Sequence, residues 1–196
     1  MPRAVCAQCF FLKQNCVCHF IPNVHTDLKV IVFQSLQEAK HPKNTVRLLR
    51  LAMPSIQVIP VVSQEDILRE LNLLDLTKWC LIYPCDQSTP IEIETKQSLD
   101  NYEGILLIDA TWRKAFSMYH TCQQFEKMAT KHFLSPPKGN YFIRKTSKEN
   151  ALSTFEACVY TLECIEKLDL SALKVFFSQV QQWQWRRNPY ISQITR

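Results

Sequence analysis

Gly104 is followed by Ile105, Leu106, Leu107 and Ile108, an apolar run too short for a helix and with no polar residue to give it a wet face. A strand of that kind has to be covered on both sides, as central strands of α/β proteins are. The pattern then changes at once. Asp109, Thr111 and Trp112 are polar or amphipathic, and Trp112, Phe116 and Tyr119 recur at helical spacing. Asp109 thus stands at the carboxyl end of a strand and just before a helix, the edge at which open α/β sheets bind ligands. The same residues fit a plainer reading: Asp109 as a helix N-cap, accepting orphan amide hydrogens, and Trp112 as core.

The same grammar recurs along the chain. Segments 29–33, 56–62, 79–84 and 131–135 read as further strands. Pro60 is placed at the end of its strand or at a bulge. Segments 46–53, 65–75 and 112–125, a segment opening at Ser153, and 171–185 read as helices. Asn44 or Thr45 can cap the first of these, and Ser153-Thr-Phe-Glu156 has capping-box spacing. Residues 86–103 read as a loop with a short edge strand, and Tyr141 to Arg144 as briefly extended chain. Strands alternating with helices from 29 to 185 give an α/β fold, a largely parallel sheet flanked by helices.

Only two glycines occur, Gly104 and Gly139, so a Gly-x-Gly-x-x-Gly nucleotide loop is impossible. No apolar run is long enough to span a bilayer, and the N-terminus goes into cysteines without a signal-peptide core; a cytoplasmic protein with no membrane partner is the expectation. The net charge of +5, from 23 Lys and Arg against 18 Asp and Glu, is mild and permits an acidic partner such as RNA.

Nine cysteines is a high and odd number, which argues against a disulfide framework. Four fall in the first eighteen residues, as Cys6-x-x-Cys9 and Cys16-x-Cys18. Two close pairs across a short loop can wrap one tetrahedral zinc, and four thiolates leave no open position, so such a zinc is structural. Reduced thiols on a tail, or a redox dithiol, are the other readings. His19 is a competing ligand or an ordinary surface histidine. Cys80, Cys85, Cys122, Cys158 and Cys164 read as small core hydrophobes. The division is a four-cysteine zinc-binding segment at 1–25 and an α/β domain at 26–196.

Basic residues interleave with aromatics in two places. Lys138, Arg144, Lys145 and Lys148 surround Tyr141 and Phe142, and Trp185-Arg186-Arg187 lies near the end. Such mixtures suit an RNA backbone and an unstacked base, and equally an ordinary surface or a packing anchor. Arg47 and Arg50 share a helix face that spacing alone makes a solvated one.

Asp109-Ala-Thr111-Trp112, with an apolar strand before it and Arg-Lys-Ala after, resembles the Asp-x-Thr-Trp signature of the DTW-domain family. Three more stretches resemble it in the same order: the N-terminal cysteines, Lys43-Asn44-Thr45-Val46-Arg47-Leu48-Leu49, and Leu152-Ser153-Thr154-Phe155-Glu156-Ala157. That family comprises tRNA-uridine aminocarboxypropyltransferases and is related to the SPOUT-like RNA-modifying enzymes. The resemblance implies a SPOUT-like fold with a C-terminal trefoil knot. It also implies a transfer of the 3-amino-3-carboxypropyl group of S-adenosylmethionine to N3 of a uridine in tRNA, releasing methylthioadenosine. It makes 26–196 the catalytic domain, and Asp109, Thr111 and Trp112 candidate catalytic residues. Leu107, Ser153, Thr154 and Glu156 are candidates for the cofactor. Asn44, Arg47, Arg113, Lys114, Arg144, Arg186 and Arg187 are candidates for RNA, and the resemblance strengthens zinc at Cys6, Cys9, Cys16 and Cys18. In this reaction an imide proton has to leave, and Asp109 either takes it or positions the imide. A helix start at Ser153-Thr154 would hold the donor's carboxylate. The alternatives are a SPOUT-like RNA methyltransferase and a non-catalytic zinc-containing RNA-binding protein. Monomer and homodimer are both open.

Overall fold

Four apolar runs and two short polar segments form one six-stranded sheet in which every pairing is parallel, in the order β2-β1-β5-β3-β6-β4. The computed structural model describes residues 4–143 and 151–186. The strands are β1 (Lys29–Ser35), β2 (Gln57–Val61), β3 (Trp79–Ile82), β4 (Thr89–Pro90), β5 (Gly104–Asp109) and β6 (Ala129–His132). The helices are α1 (Leu36–Ala39), α2 (Val46–Ala52), α3 (Gln64–Leu71), α4 (Lys96–Leu99), α5 (Trp112–Thr121), α6 (Thr154–Glu166) and α7 (Ser171–Trp185). The run with no polar residue, β5, is central, between β1 and β3. Pro60 sits within β2, where an edge strand tolerates the missing donor.

Side chains alternate between two hydrophobic layers. Val30, Val32, Ile105 and Leu107 face a layer built with α2, α6 and α7. Ile31, Phe33 and Leu106 face the other, built with α3 and α5. Burial on both faces explains why β5 has no polar position before Asp109. Gly104 opens β5 where no other residue fits, since a Cβ would lie 2.6 Å from the Trp79 ring and 2.7 Å from the Lys29 carbonyl.

The structure corrects several expectations. The helix after β5 ends at Thr121, and 123–127 is a separate 3-10 turn. Its buried stripe is Ala115, Met118 and Tyr119, whereas Trp112 is 52% and Phe116 58% exposed. Of the three spaced aromatics Tyr119 alone joins the core stripe, which Ala115 and Met118 complete one position round. The helix placed at 65–75 stops at Leu71. The stretch 86–103 contains the two-residue β4 and also the short helix α4. β6 begins two residues earlier than the 131–135 expectation. Phe142 and Ile143 form a turn and not extended chain, and Arg144, Lys145 and Lys148 lie outside the described residues.

Candidate functional site

At the carboxyl edge of the sheet, β1 and β5 end side by side with Gln34 opposite Asp109. Each is the first polar residue after an apolar run. Asp109 is 8% exposed, and both of its oxygens are engaged. Gln34 Nε2 donates to Oδ2 at 2.8 Å, and Thr154 Oγ1 donates to Oδ1 at 2.5 Å. Gln34 Nε2 also donates to Asn44 Oδ1 at 3.1 Å. A hydrogen-bonded chain Asn44–Gln34–Asp109–Thr154 thus ties together stretches that are far apart in sequence. A buried carboxylate needs such donors, because leaving it without them carries a large desolvation cost.

The plainer role for Asp109 is taken by another residue. Thr111 is the N-cap of α5, its side chain accepting from the Lys114 amide at 3.3 Å. Asp109 is held by side chains and not by helix amides. At the start of α2 it is Asn44 that accepts from the Arg47 amide, at 3.2 Å, while the Thr45 side chain makes no cap bond.

Asp109 lines a cavity of about 520 Å³ together with Leu107, Thr111, Trp112, Ser153 and Thr154. That volume is in the range of small-molecule and cofactor sites. The sheet edge forms its floor, with α5 on one side and the start of α6 on the other. Ser153 and Glu156 complete the expected capping box, Glu156 Oε2 accepting from Ser153 N at 2.8 Å. Glu156 Oε1 accepts from the Asn140 amide, so this carboxylate fastens the loop before α6 and is not among the cavity-lining residues. Thr154, the first residue of the helix, is the member of this group that reaches Asp109.

Sequence reasoning missed Gln34, Tyr83, Lys131 and His132, the last three of which also line the cavity. Gln34 had a visible signal, since it follows Val-Ile-Val-Phe just as Asp109 follows its own run. Lys131 is buried and paired with Glu94, and its Nζ donates to Thr89 Oγ1 at 2.8 Å. The hydrogen bond from Lys131 holds the Glu94 carboxyl below its ordinary range, against the opposing effect of burial.

The N-terminal cysteines form a second cluster. The Sγ atoms of Cys6, Cys9, Cys16 and Cys18 all lie within 4.8 Å of one another. The separations Cys6–Cys18, Cys9–Cys16 and Cys16–Cys6 are 3.7, 3.8 and 3.6 Å. These are far too long for disulfides. They match the edge of a tetrahedron with metal–sulfur bonds of about 2.3 Å, which is about 3.8 Å. The loop is shaped for this: Val5 and Leu12 bridge antiparallel, the Phe10 amide donates to the Cys6 carbonyl at 2.9 Å, and Phe10 takes a left-handed conformation at φ 56°. Amides of Cys9 and Gln8 pull the Cys6 thiol down to about 6. Burial, reinforced by the neighbouring thiols, pushes Cys18 up to about 12. A dication among them would favour four thiolates, so the donor set fits a metal such as zinc. By contrast, burial pushes the thiols of Cys80, Cys122, Cys158 and Cys164 up, as expected of core residues. Cys85 is half-buried and accepts from Tyr119 Oη at 3.3 Å.

The expected RNA-contacting residues divide. Arg47 donates to the Cys9 carbonyl at 2.8 Å and stacks on Phe11 at 3.6 Å, joining the cysteine loop to α2; burial lowers its pKa. Arg186 donates to the Gln14 carbonyl at 2.8 Å and lies over Trp183 at 3.8 Å. Trp183 in turn meets His19 and Phe20 edge-on. Arg113 and Lys114 are exposed on the first turn of α5 beside the cavity. Arg144 and Arg187 lie outside the described residues. Among the described residues, no helix is long and apolar enough to cross a membrane.

A model of the DTW domain matches residues 3–185. The chain is 22% identical over 171 residues to tRNA-uridine aminocarboxypropyltransferase 2 of Macaca fascicularis, and 24% identical over 176 residues to the protein of the same name from Mus musculus. Each match covers 84% of this chain and 57% of the relative, so the chain spans little more than half the length of these curated relatives. No solved structure matches significantly.

Proposed function

The chain belongs to the DTW domain family, and on that premise we propose that it transfers the 3-amino-3-carboxypropyl group of S-adenosylmethionine to N3 of a uridine in tRNA. The observation that carries the reading is the Asn44–Gln34–Asp109–Thr154 chain, of which Asp109 and Thr154 line the cavity. It joins three of the four stretches that resemble the family at one edge of a parallel sheet. Choosing the aminocarboxypropyl carbon of the sulfonium over its methyl is a matter of pose, and pose is what a rigid, hydrogen-bonded edge provides. In this proposal the donor's carboxylate lies against the start of α6, where the helix dipole favours an anion, while the Ser153 amide stays with Glu156 and the Thr154 hydroxyl with Asp109. Leu107 forms apolar floor. Asp109 orients the reacting groups, and Trp112, half exposed, stands at the rim where the uracil would enter.

The remaining parts of the proposal are structural. The cysteine segment at 1–25 holds one zinc and braces the domain at 26–196. The tRNA backbone meets Arg113 and Lys114, with Arg144 and Arg187 as further contacts. A SPOUT-like relation with a C-terminal knot, and a cytoplasmic setting for tRNA modification, belong to the same reading. The test identifies the cofactor product after incubation with unmodified tRNA and S-adenosylmethionine. Methylthioadenosine supports the transferase. S-adenosylhomocysteine would identify a methyltransferase, and no product together with no donor binding would leave a binding protein.

A further inference from the structure

The turn after β3 fixes a histidine that no motif singles out. Ser88 Oγ has three polar neighbours: the Cys85 amide at 3.1 Å, the Cys85 carbonyl at 2.6 Å and His132 Nδ1 at 2.9 Å. The hydroxyl has one proton. Two oxygens at 2.6 Å need a proton between them and a carbonyl has none, so the hydroxyl proton goes to Cys85. Ser88 Oγ can then only accept from His132, which places a hydrogen on Nδ1. In the neutral imidazole Nε2 then carries no hydrogen and can accept one. His132 ends β6 and lines the same cavity as Asp109.

The register places the two residues on different sides. Leu107 and Lys131 both pair with Ile82, so they share a row and a face. Asp109, two residues past Leu107, keeps that face and meets Thr154 of α6. His132, one residue past Lys131, takes the opposite parity, on the face where α3 and α5 pack. Two strand spacings separate β5 from β6, roughly 10 Å. A donor held beneath α6 and an acceptor base from the other face would meet across the cavity that both Asp109 and His132 line.

We propose that His132 is a catalytic residue that accepts the N3 proton of the uridine through Nε2, with Ser88 as the positioning residue that holds its tautomer. The inference rests on the transferase reading. The N3–H bond breaks to His132, which becomes imidazolium. The N3 electron pair forms the bond to the aminocarboxypropyl carbon. That carbon's bond to the sulfonium breaks, and its electrons go to sulfur, giving neutral methylthioadenosine. Asp109, with each oxygen already accepting from Gln34 or Thr154, orients and does not have to take the proton. Among the described residues, the charged and titratable groups of the elements next to His132 include Lys131, paired with Glu94; Glu92, which accepts from the amides of Leu134 and Ser135; Tyr83, just past the end of β3; Cys85, in contact with Tyr119, and Asp86 in the same turn; and Asp109 across β3.

The test is single-turnover transfer to tRNA at saturating donor as a function of pH. His132→Asn keeps an amide hydrogen for Ser88 and loses the base. Its transfer rate should fall by about 10²–10⁴-fold, with KM for tRNA and donor little changed. With that base gone, the pH dependence that remains should follow the ionisation of N3 itself. Ser88→Ala should lose roughly 10- to 100-fold, as when the partner orienting another histidine is removed. Wild-type rate and an unchanged profile in His132→Asn would overturn the proposal, as would the same result in Ser88→Ala should His132→Asn fail to fold. A wild-type protein that makes no aminocarboxypropyl product would overturn the transferase reading and this inference with it, whereas an active wild type with an unaffected His132→Asn overturns only this one.

Discussion

The four thiols near the N-terminus and the polar groups around Asp109 are sites of similar size built in opposite ways. The thiols come from thirteen consecutive positions, 6 to 18, and one hairpin-like loop brings their Sγ atoms within 4.8 Å. Asn44, Gln34, Asp109 and Thr154 come from the ends of two strands and the starts of two helices, and only the parallel register of β1 with β5 and the packing of α6 bring them together. A local site can be lost without the sheet, and a distributed one cannot be repaired without it. The two should therefore respond differently to the same kind of damage.

The largest effect is expected at the thiols. Changing Cys9 and Cys16 to Ser should take bound zinc from about one per chain to near none, because two ligands cannot hold what four hold. Elemental analysis measures this, and unchanged zinc would place the ligands elsewhere. Circular dichroism should still report the parallel sheet. If the sheet is lost as well, the cysteine segment is part of the core and the contrast fails.

Asp109→Asn should come next. Transfer should slow by about 10²-fold, the loss expected when reacting groups are held slightly out of place. The fold should change little, since the new NH2 can face the Thr154 hydroxyl, which accepts as well as donates, while Oδ1 still accepts from Gln34. The helix-cap alternative predicts no loss of transfer, and Thr111 already occupies that role.

How much of this was legible from residues follows the same contrast. The cysteine cluster could be read because its spacing is its geometry. The capping box at Ser153 and Glu156, the strand at 104–109 and the helix at 171–185 could be read because each is set by local periodicity or local hydrogen bonds. Gln34 and His132 could not, since each gains its role from a neighbour in space: Gln34 from the register with Asp109, His132 from a hydroxyl forty-four residues earlier. Trp112 was readable as special only through resemblance, because helical spacing alone also describes a core residue.

Two smaller effects sharpen the contrast. Arg47→Ala should cost about 1.5–3 kcal/mol, the range for hydrogen bonds to charged groups, because it frees the cysteine loop from α2. It should leave the salt dependence of tRNA binding unchanged. Arg113→Ala and Lys114→Ala should do the reverse, each lowering the slope of log K against log salt by about 0.7–0.9 if it meets a phosphate. A slope change in Arg47→Ala would return that residue to the RNA surface.

The smallest concerns acid. Hydrogen bonding from Lys131 lowers the Glu94 pKa in the folded state, so the stability it contributes is present above its unfolded value of about 4.3 and is lost as pH falls through the lower folded value. Glu94→Gln should flatten the stability profile in that acid window, and an unchanged profile would mean the pair contributes nothing there.

The central claim is best tested on the RNA itself. Unmodified tRNA incubated with the wild-type protein and S-adenosylmethionine, then digested to nucleosides for mass spectrometry, should yield 3-(3-amino-3-carboxypropyl)uridine, and the Asp109→Asn protein should yield far less in the same time. A tRNA recovered with its uridines unchanged, from a wild-type protein that is folded and loaded with zinc, would contradict the account.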